Sequence, residues 1–206
     1  MSTQIAIVDV GMGNLHSVSK AFEVAALDLN VQLERTHDPE RVRKADRIVV
    51  PGQGSFGELS RRMSGGLGEA IVERLRAGTP YFGICLGLQI LFENSEEAPG
   101  APGFGWFRGT VSRLVGGNGL KIPHMGWNQL ELRGAPHACL DAGEWFYFVH
   151  SYHAAAEEPD VVRATAGYGP NTVTAAVGRD HVFATQFHPE KSQQAGLSLL
   201  TRFLRG

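Results

Sequence analysis

The sequence predicts an α/β protein with a mostly parallel sheet, on three observations. Short apolar runs alternate with amphipathic, helix-length stretches through the first ninety or so residues, the pattern of strands joined by crossover helices. The texture then changes to short alternating segments, a β-rich C-terminal half that is antiparallel in part. Between them, Tyr81-Phe82-Gly83-Ile84-Cys85-Leu86-Gly87-Leu88 reads as a strand running directly into a helix.

Ile5 to Val10 is short, apolar and ended by glycine, so it predicts a buried strand. Gly11-Met12-Gly13-Asn14 turns it into a helix, Leu15 to Leu27, with Val18, Phe22 and Ala25 on one face. The turn lacks the third glycine of a dinucleotide-binding fingerprint, since Ser17 and Val18 occupy that region. Val31 to Thr36 alternates like a strand, and His37-Asp38-Pro39 predicts a turn. Arg47 to Val50 is a third strand ending in Pro51-Gly52-Gln53-Gly54-Ser55, and two helical pieces follow, Glu58 to Met63 and Leu67 to Arg76. The elbow strand leads to a helix over Leu86 to Phe92. Strands are then expected at 110–115, 127–133, 144–150, 161–166, 172–177 and 181–187, with Gly178-Arg179-Asp180 as a hairpin turn. Ser192 to Leu204 closes the chain as a helix that Ser192 is placed to cap, with Leu197, Leu200 and Leu204 inward.

The 206 residues suffice for a single domain, 1–206, with a real core. A net charge of -2 without basic blocks argues against a nucleic-acid surface, and no apolar run reaches membrane-spanning length. Two cysteines, Cys85 and Cys139, are too few for a disulfide framework. With no signal peptide at the N-terminus, a cytoplasmic protein is expected. His150 and His153 lie close together but have no cysteine or carboxylate at ligand spacing, so neither metal nor cofactor is expected.

Cys85 has glycine two residues before it and two after, the spacing of a nucleophile elbow. The glycines leave room for neighbouring strand and helix at a strained turn. A thiol at a helix N-terminus is favoured as thiolate, and the same N–H groups can hold an oxyanion. The competing reading of Cys85 is a small buried apolar residue. A nucleophilic cysteine needs a base, and the base an orienting group. Among eight histidines the best candidate is His188, at a strand end in Gln186-Phe187-His188-Pro189-Glu190-Lys191, with Glu190 positioned to fix its tautomer. His16, His37 and His137 read as surface or satisfied core residues.

Gly83-Ile84-Cys85-Leu86-Gly87 together with Gln186-Phe187-His188-Pro189-Glu190 resembles the paired catalytic motifs of class I, triad-type glutamine amidotransferases. The resemblance implies their three-layer fold. It implies Cys85 as nucleophile, His188 as general base and acid, and Glu190 as its orienter. It further implies Pro51-Gly52-Gln53-Gly54 as the oxyanion strand, with N–H donors from Leu86 and from Gly52 or Gln53. Lys121-Ile122-Pro123-His124-Met125-Gly126-Trp127-Asn128, Gly11-Met12-Gly13-Asn14 and Tyr147-Phe148-Val149-His150-Ser151-Tyr152 extend the likeness, over nearly the whole chain, to the glutaminase subunits of imidazole glycerol phosphate synthases. In that group a (β/α)8-barrel cyclase subunit completes a heterodimer. It uses the released ammonia to make imidazole glycerol phosphate and aminoimidazole carboxamide ribotide in histidine biosynthesis. The resemblance then assigns Gln89, Glu97, Ser151 and Tyr152 to binding of the substrate glutamine. It assigns Asn14, Trp127, Asn128, Tyr147 and Lys191 to contact with the cyclase; an aromatic among glycine, asparagine and lysine loops is a plausible anchor, and a strand-start core residue is the alternative for Trp127. Gln53 departs from the valine usual in that group and adds a polar side chain to the oxyanion strand. The rivals are the glutaminase of pyridoxal phosphate synthesis, where Pro-His-Met-Gly-Trp-Asn is not expected; a cysteine peptidase or chaperone-like hydrolase, which lacks the Gln-Phe-His-Pro-Glu ending; and a non-catalytic scaffold.

Overall fold

The structure is a computed structural model that describes residues 2–117, 119–134 and 136–206. Its N-terminal half follows the expected alternation: β1 (Thr3–Val8), α1 (Leu15–Ala25), β2 (Val31–Thr36), α2 (Pro39–Lys44), β3 (Arg47–Gly52), α3 (Phe56–Met63), α4 (Gly66–Arg76), β4 (Tyr81–Cys85) and α5 (Leu86–Gln89). The second half adds β5 (Asn94–Ser95), β6 (Gly109–Arg113), β7 (His124–Gln129), β8 (Glu131–Leu132), β9 (Trp145–His150) and β10 (Tyr152–Ala156). It closes with β11 (Val162–Tyr168), β12 (Asn171–Arg179), β13 (Val182–Thr185) and α6 (Gln193–Arg205).

The central sheet runs β2-β1-β3-β4-β13-β12-β11-β8. Strands β2, β1, β3, β4 and β13 are mutually parallel, and β12, β11 and β8 continue the sheet antiparallel. Alternate residues of the parallel strands feed two apolar layers. Ile5, Ile7, Phe82 and Ile84 pack toward α1 and α6 with Phe22, Leu200 and Phe203. Ala6, Val8, Ile48 and Val50 pack toward α3 and α4 with Phe56, Leu59 and Ile71. That is the three-layer arrangement expected, and it explains why these strands read as continuous apolar runs. Phe82 stacks on Phe183 at 5.6 Å and packs against Phe203 at 5.1 Å. Cutting it to alanine costs about 3–5 kcal/mol and loosens the strand that carries Cys85. A small sheet, β10-β6-β5, and a two-stranded antiparallel ribbon, β7-β9, stand beside the main sheet.

The differences from expectation have local causes. The Asp38-Pro39 turn is a helix start: the Asp38 side chain accepts from the Glu40 N–H and Pro39 opens α2. Helix α5 stops at Gln89 rather than Phe92, because the carbonyls of Ile90, Leu91 and Phe92 accept from the N–H groups of Phe104, Trp106 and Gly105. The β12–β13 hairpin turns at Asp180, at φ 54°, with Arg179 still paired to Val182. In α6 the residues turned inward are Leu199, Leu200, Phe203 and Leu204, while Leu197 is half-buried. Ser192 lies at the start of α6 without capping it; its hydroxyl donates to the His188 carbonyl at 2.6 Å.

Candidate active site

The carboxyl ends of β3, β4 and β13 lie side by side, and each delivers one part of a site. At the end of β4, Cys85 has φ 56° and ψ -104°, a left-handed conformation that a non-glycine residue adopts only where the surroundings impose it. The flanking glycines are what permit the close packing around it. A Cβ on Gly83 would stand 2.3 Å from the Gly87 carbonyl oxygen, and one on Gly87 would stand 1.9 Å from that of Val50. Strand, elbow and helix therefore close together only with glycine at both positions. Gly52 pairs with Cys85 in register, and a Cβ there would meet the Leu86 Cβ at 2.7 Å. Gly52 is thus packed against the elbow, and Gln53 and Leu86 line the same pocket as Cys85.

Beyond β13, His188 is almost fully buried, and its Nδ1 lies 2.7 Å from Glu190 Oε1. Its Nε2 is buried with no hydrogen-bond partner among the described residues, in a pocket it shares with Cys85. Burial by itself pulls the His188 pKa down, but negative charge on Cys85 and the bond to Glu190 outweigh it and raise the pKa above 6.5. The His188 backbone is pinned from two sides: its N–H donates to the Tyr147 carbonyl at 2.9 Å, and its carbonyl accepts from Ser192.

These groups open into a pocket of about 350 Å³. Gln89, Glu97, Ser151 and Tyr152, the four residues expected to hold substrate, all line it. Glu97 Oε2 accepts from the Phe56 N–H at the start of α3, which fixes the carboxylate at the pocket edge. Gln89 donates to the Tyr152 carbonyl and to Gln186 Oε1, each at 3.0 Å, and its own Oε1 is buried without a partner among the described residues.

The family model of the class-I glutamine amidotransferases matches residues 6–205. This chain belongs to that family. It is 49% identical over 207 residues to the imidazole glycerol phosphate synthase subunit HisH of Syntrophotalea carbinolica, covering 97% of this chain and 98% of the relative. It is 48% identical over 204 residues to the subunit of the same name from Thermosynechococcus vestitus, covering 97% and 95%. It therefore groups with the HisH-type amidotransferases. The structure of PurLQS from Thermotoga maritima superposes with a TM-score of 0.73 at 17% identity, over 100% of this chain and 99% of that one, a likeness of fold.

In this amidotransferase three of the five expected partner-contact residues form one cluster, Trp127 and Tyr147 on the β7–β9 ribbon and Lys191 on the turn after β13. Trp127 is 44% exposed and meets Tyr147 edge-on at 6.2 Å, and Lys191 Nζ lies 5.8 Å above the Tyr147 ring. Trp127 is thus an exposed residue rather than a core one. Met125 and Trp145, also exposed, fall on the same face by register, and the sequence analysis missed both. Asn128 is tied into the molecule, donating to the Gly167 carbonyl at 2.8 Å and lying 3.2 Å from His124 Nε2. Asn14 belongs to another loop. It caps α1, and its N–H donates to Gln53 Oε1 at 3.3 Å, so the Gln53 side chain links the segment after β3 to the loop after β1.

Gln186 at the sulfur, His150 on the pocket wall and His124 beside His150 escaped the sequence. Gln186 Nε2 donates to Cys85 Sγ at 3.5 Å. His150 sits between His124 and the Tyr152 carbonyl. Gln186 and His124 stood in recognised motifs without a role, and His150, also in one, was weighed only as a metal ligand. Their proximity arises from the β7–β9 pairing and the β13–β4 pairing, which no local pattern encodes. No helix among the described residues is long and apolar enough to cross a membrane.

Proposed function

We propose that this chain hydrolyses glutamine to glutamate and ammonia through Cys85, His188 and Glu190, and supplies the ammonia to a barrel-shaped cyclase subunit of imidazole glycerol phosphate synthase in the cytoplasm. The observation that carries the reading is the relation of His188 to its two neighbours. Nδ1 is held by Glu190, which leaves Nε2 toward Cys85 at the mouth of the pocket.

In the reaction, Cys85 Sγ gives its proton to His188 Nε2 and attacks the side-chain amide carbon of glutamine. The resulting oxyanion is held by the Leu86 N–H and one from Gly52 or Gln53. His188 then returns the proton to the leaving nitrogen, ammonia departs and a thioester to Cys85 remains. Water, deprotonated by His188, attacks the thioester and releases glutamate and the thiol. Glu190 stabilises the imidazolium formed twice in this cycle. Gln89, Glu97, Ser151 and Tyr152 are placed to hold the glutamine backbone and orient its amide. The cyclase docks on Trp127, Tyr147 and Lys191, with Asn14 and Asn128 at the margins. Docking reaches the triad because Tyr147 brackets His188 through backbone bonds: its carbonyl accepts from His188 and its N–H donates to Ser192 at 3.0 Å.

Glutamate release by the isolated chain, by the complex with the cyclase, and by the complex carrying its nucleotide tests this reading. Hydrolysis is expected to be slow in the first and to rise strongly in the third. The chemical reason is waste: ammonia released without an acceptor is protonated in water and no longer nucleophilic. Loss of one oxyanion donor costs on the order of 3 kcal/mol, a rate factor of about a hundred or more, so an unset oxyanion strand is sufficient to keep the resting chain slow. Absence of glutamate release under all three conditions overturns the glutaminase reading. Equal rates in all three leave the triad and overturn the coupling.

A further inference from the structure

We propose that the Gln186 amide is a catalytic group of this site, an N–H donor to the Cys85 sulfur aimed by a file of hydrogen bonds that runs through Gln89 to the Tyr152 carbonyl, where a second run from Asn128 on the exposed ribbon also ends. The inference rests on the reading of Cys85 as nucleophile.

The direction of every bond in the file is forced. The Tyr152 backbone carbonyl can only accept. The Gln89 group 3.0 Å from it must therefore be the NH2, and the same NH2 lies 3.0 Å from Gln186. Gln186 must then turn its oxygen to Gln89, which leaves its own NH2 3.5 Å from Cys85 Sγ. Neither amide can flip without setting two acceptors against each other. On the other side of the same carbonyl, His150 Nδ1 lies at 2.9 Å and must carry the proton, so its Nε2 accepts. His124 Nδ1, 2.9 Å from that Nε2, is then the donor, and His124 Nε2 accepts from the Asn128 amide at 3.2 Å. Each ring needs one N–H and one bare nitrogen. Burial holds both imidazoles neutral, with pKa values pulled down to about 4 for His124 and about 3 for His150, the latter also repelled by its histidine neighbours.

An N–H pointed at sulfur favours its charged form, and a carbonyl in its place would oppose it. Gln186 is fully buried, so water does not replace the bond. Among the described residues, the titratable groups that share the pocket with the sulfur are His188, with Glu190 behind it, together with His150, Glu97, Tyr152 and Lys191 on the pocket wall. Gln186 itself is neutral at every pH. The two His124 stacks, on Phe148 at 4.7 Å and on Tyr168 at 4.1 Å, fix the far end of the file beside the Trp127 strand.

The test is the pH profile of Cys85 alkylation by iodoacetamide, followed from about pH 5 to about pH 9 in the Cys139→Ala chain so that one thiol reacts. Gln186→Leu is expected to slow alkylation about tenfold at neutral pH and to move the profile to higher pH. Gln186→Glu keeps the shape but sets a carboxylate oxygen against sulfur, and is expected to move it further. His124→Phe keeps the aromatic stacks and removes the donation to His150; it is expected to move the profile the same way by about threefold. Gln186 variants that unfold cooperatively on heating yet keep the parent profile overturn the role of Gln186. If Gln186→Leu does not fold, Gln186→Glu decides. A folded His124→Phe chain with the parent profile overturns the file upstream of Tyr152. Glutamate release is scored separately: a parent that alkylates normally but releases none fails as a glutaminase, and the alkylation profiles still decide the part played by Gln186.

Discussion

Each end of the central sheet holds one cysteine, and both are 6% exposed. Cys85 lies at the carboxyl ends of the parallel strands, and Cys139 at the amino ends, in a cavity with Arg47, Pro80 and His181. Burial does not separate them; their polar neighbours do. Cys85 shares its pocket with His188 and receives the Gln186 N–H. Around Cys139 both imidazoles of the cavity have other partners: His181 Nε2 lies 2.8 Å from the Leu75 carbonyl, and His137 Nδ1 lies 3.2 Å from the Cys139 backbone N–H and accepts from it, while its ring stacks on Phe183 at 4.1 Å. Burial pushes the Cys139 thiol up to about 11, although Arg202 and Arg47 pull the other way. A parallel sheet gathers strand ends at both edges. On the reading proposed for Cys85, only the end whose loops bring in a base and a donor is reactive.

The sharpest way to break this comparison is to remove each thiol. Cys85→Ala is expected to abolish glutamate release while ammonia-dependent synthesis by the complex survives, and Cys139→Ala is expected to keep both. Glutamine hydrolysis by a clean Cys85→Ala preparation would reassign the nucleophile. Next in size come the neighbours. Glu190→Gln is expected to slow turnover by roughly ten- to a thousandfold, less than His188→Ala, because an imidazole without its orienter still meets the thiol part of the time. Equal, complete losses in both variants would give Glu190 another role.

The sequence made this end of the sheet legible because its patterns are local. Gly83, Cys85 and Gly87 fall within one turn, and His188 and Glu190 within another, so spacing alone points to the elbow and to the paired His188 and Glu190. What it did not carry is contact made by long-range pairing. Strand β10, Tyr-His-Ala-Ala-Ala, has no apolar alternation, and it exists because its five residues pair with β6. Gln186 and Gln89 meet across 97 residues of chain. Helix α2 was hidden for the opposite reason, since Asp-Pro reads equally as a turn and as a cap followed by a first helical residue.

The ribbon beside the carboxyl end sharpens the comparison further, since the described amino end has no counterpart to it. If Trp127, Tyr147 and Lys191 form the docking surface, Trp127→Ala should lower the stimulation of glutamate release by the cyclase several-fold. The basal rate and the melting temperature should stay close to the parent's. A Trp127→Ala chain that unfolds at low temperature would place the indole in the structural core.

The smallest expected effect concerns a property the two ends share. His137 at the amino end and His124 and His150 at the carboxyl end are all held neutral. Burial comes first in each case, aided by Arg163 at His137 and by neighbouring histidines at His150, and it lowers their pKa values to about 4, about 4 and about 3. In the unfolded chain each takes up a proton near 6.5. Between these limits the unfolded state binds more protons than the folded one, so stability falls with falling pH. The contribution is whole above about pH 6.5 and is lost progressively as the pH drops toward about 4 for His124 and His137 and about 3 for His150. The raised pKa of His188 does not offset this, because its contribution is already complete below 6.5 and is lost only on the alkaline side. A melting temperature about 5–10 °C lower at pH 5 than at pH 7 is expected, at fixed ionic strength. His137→Phe keeps an aromatic stacked on Phe183 and removes one of the three titrations, so its melting temperature should depend less steeply on pH than the parent's. A parent that melts at the same temperature at both values would show that the three imidazoles protonate in the folded state, and the neutral tautomers assigned to His124 and His150 would fall with it.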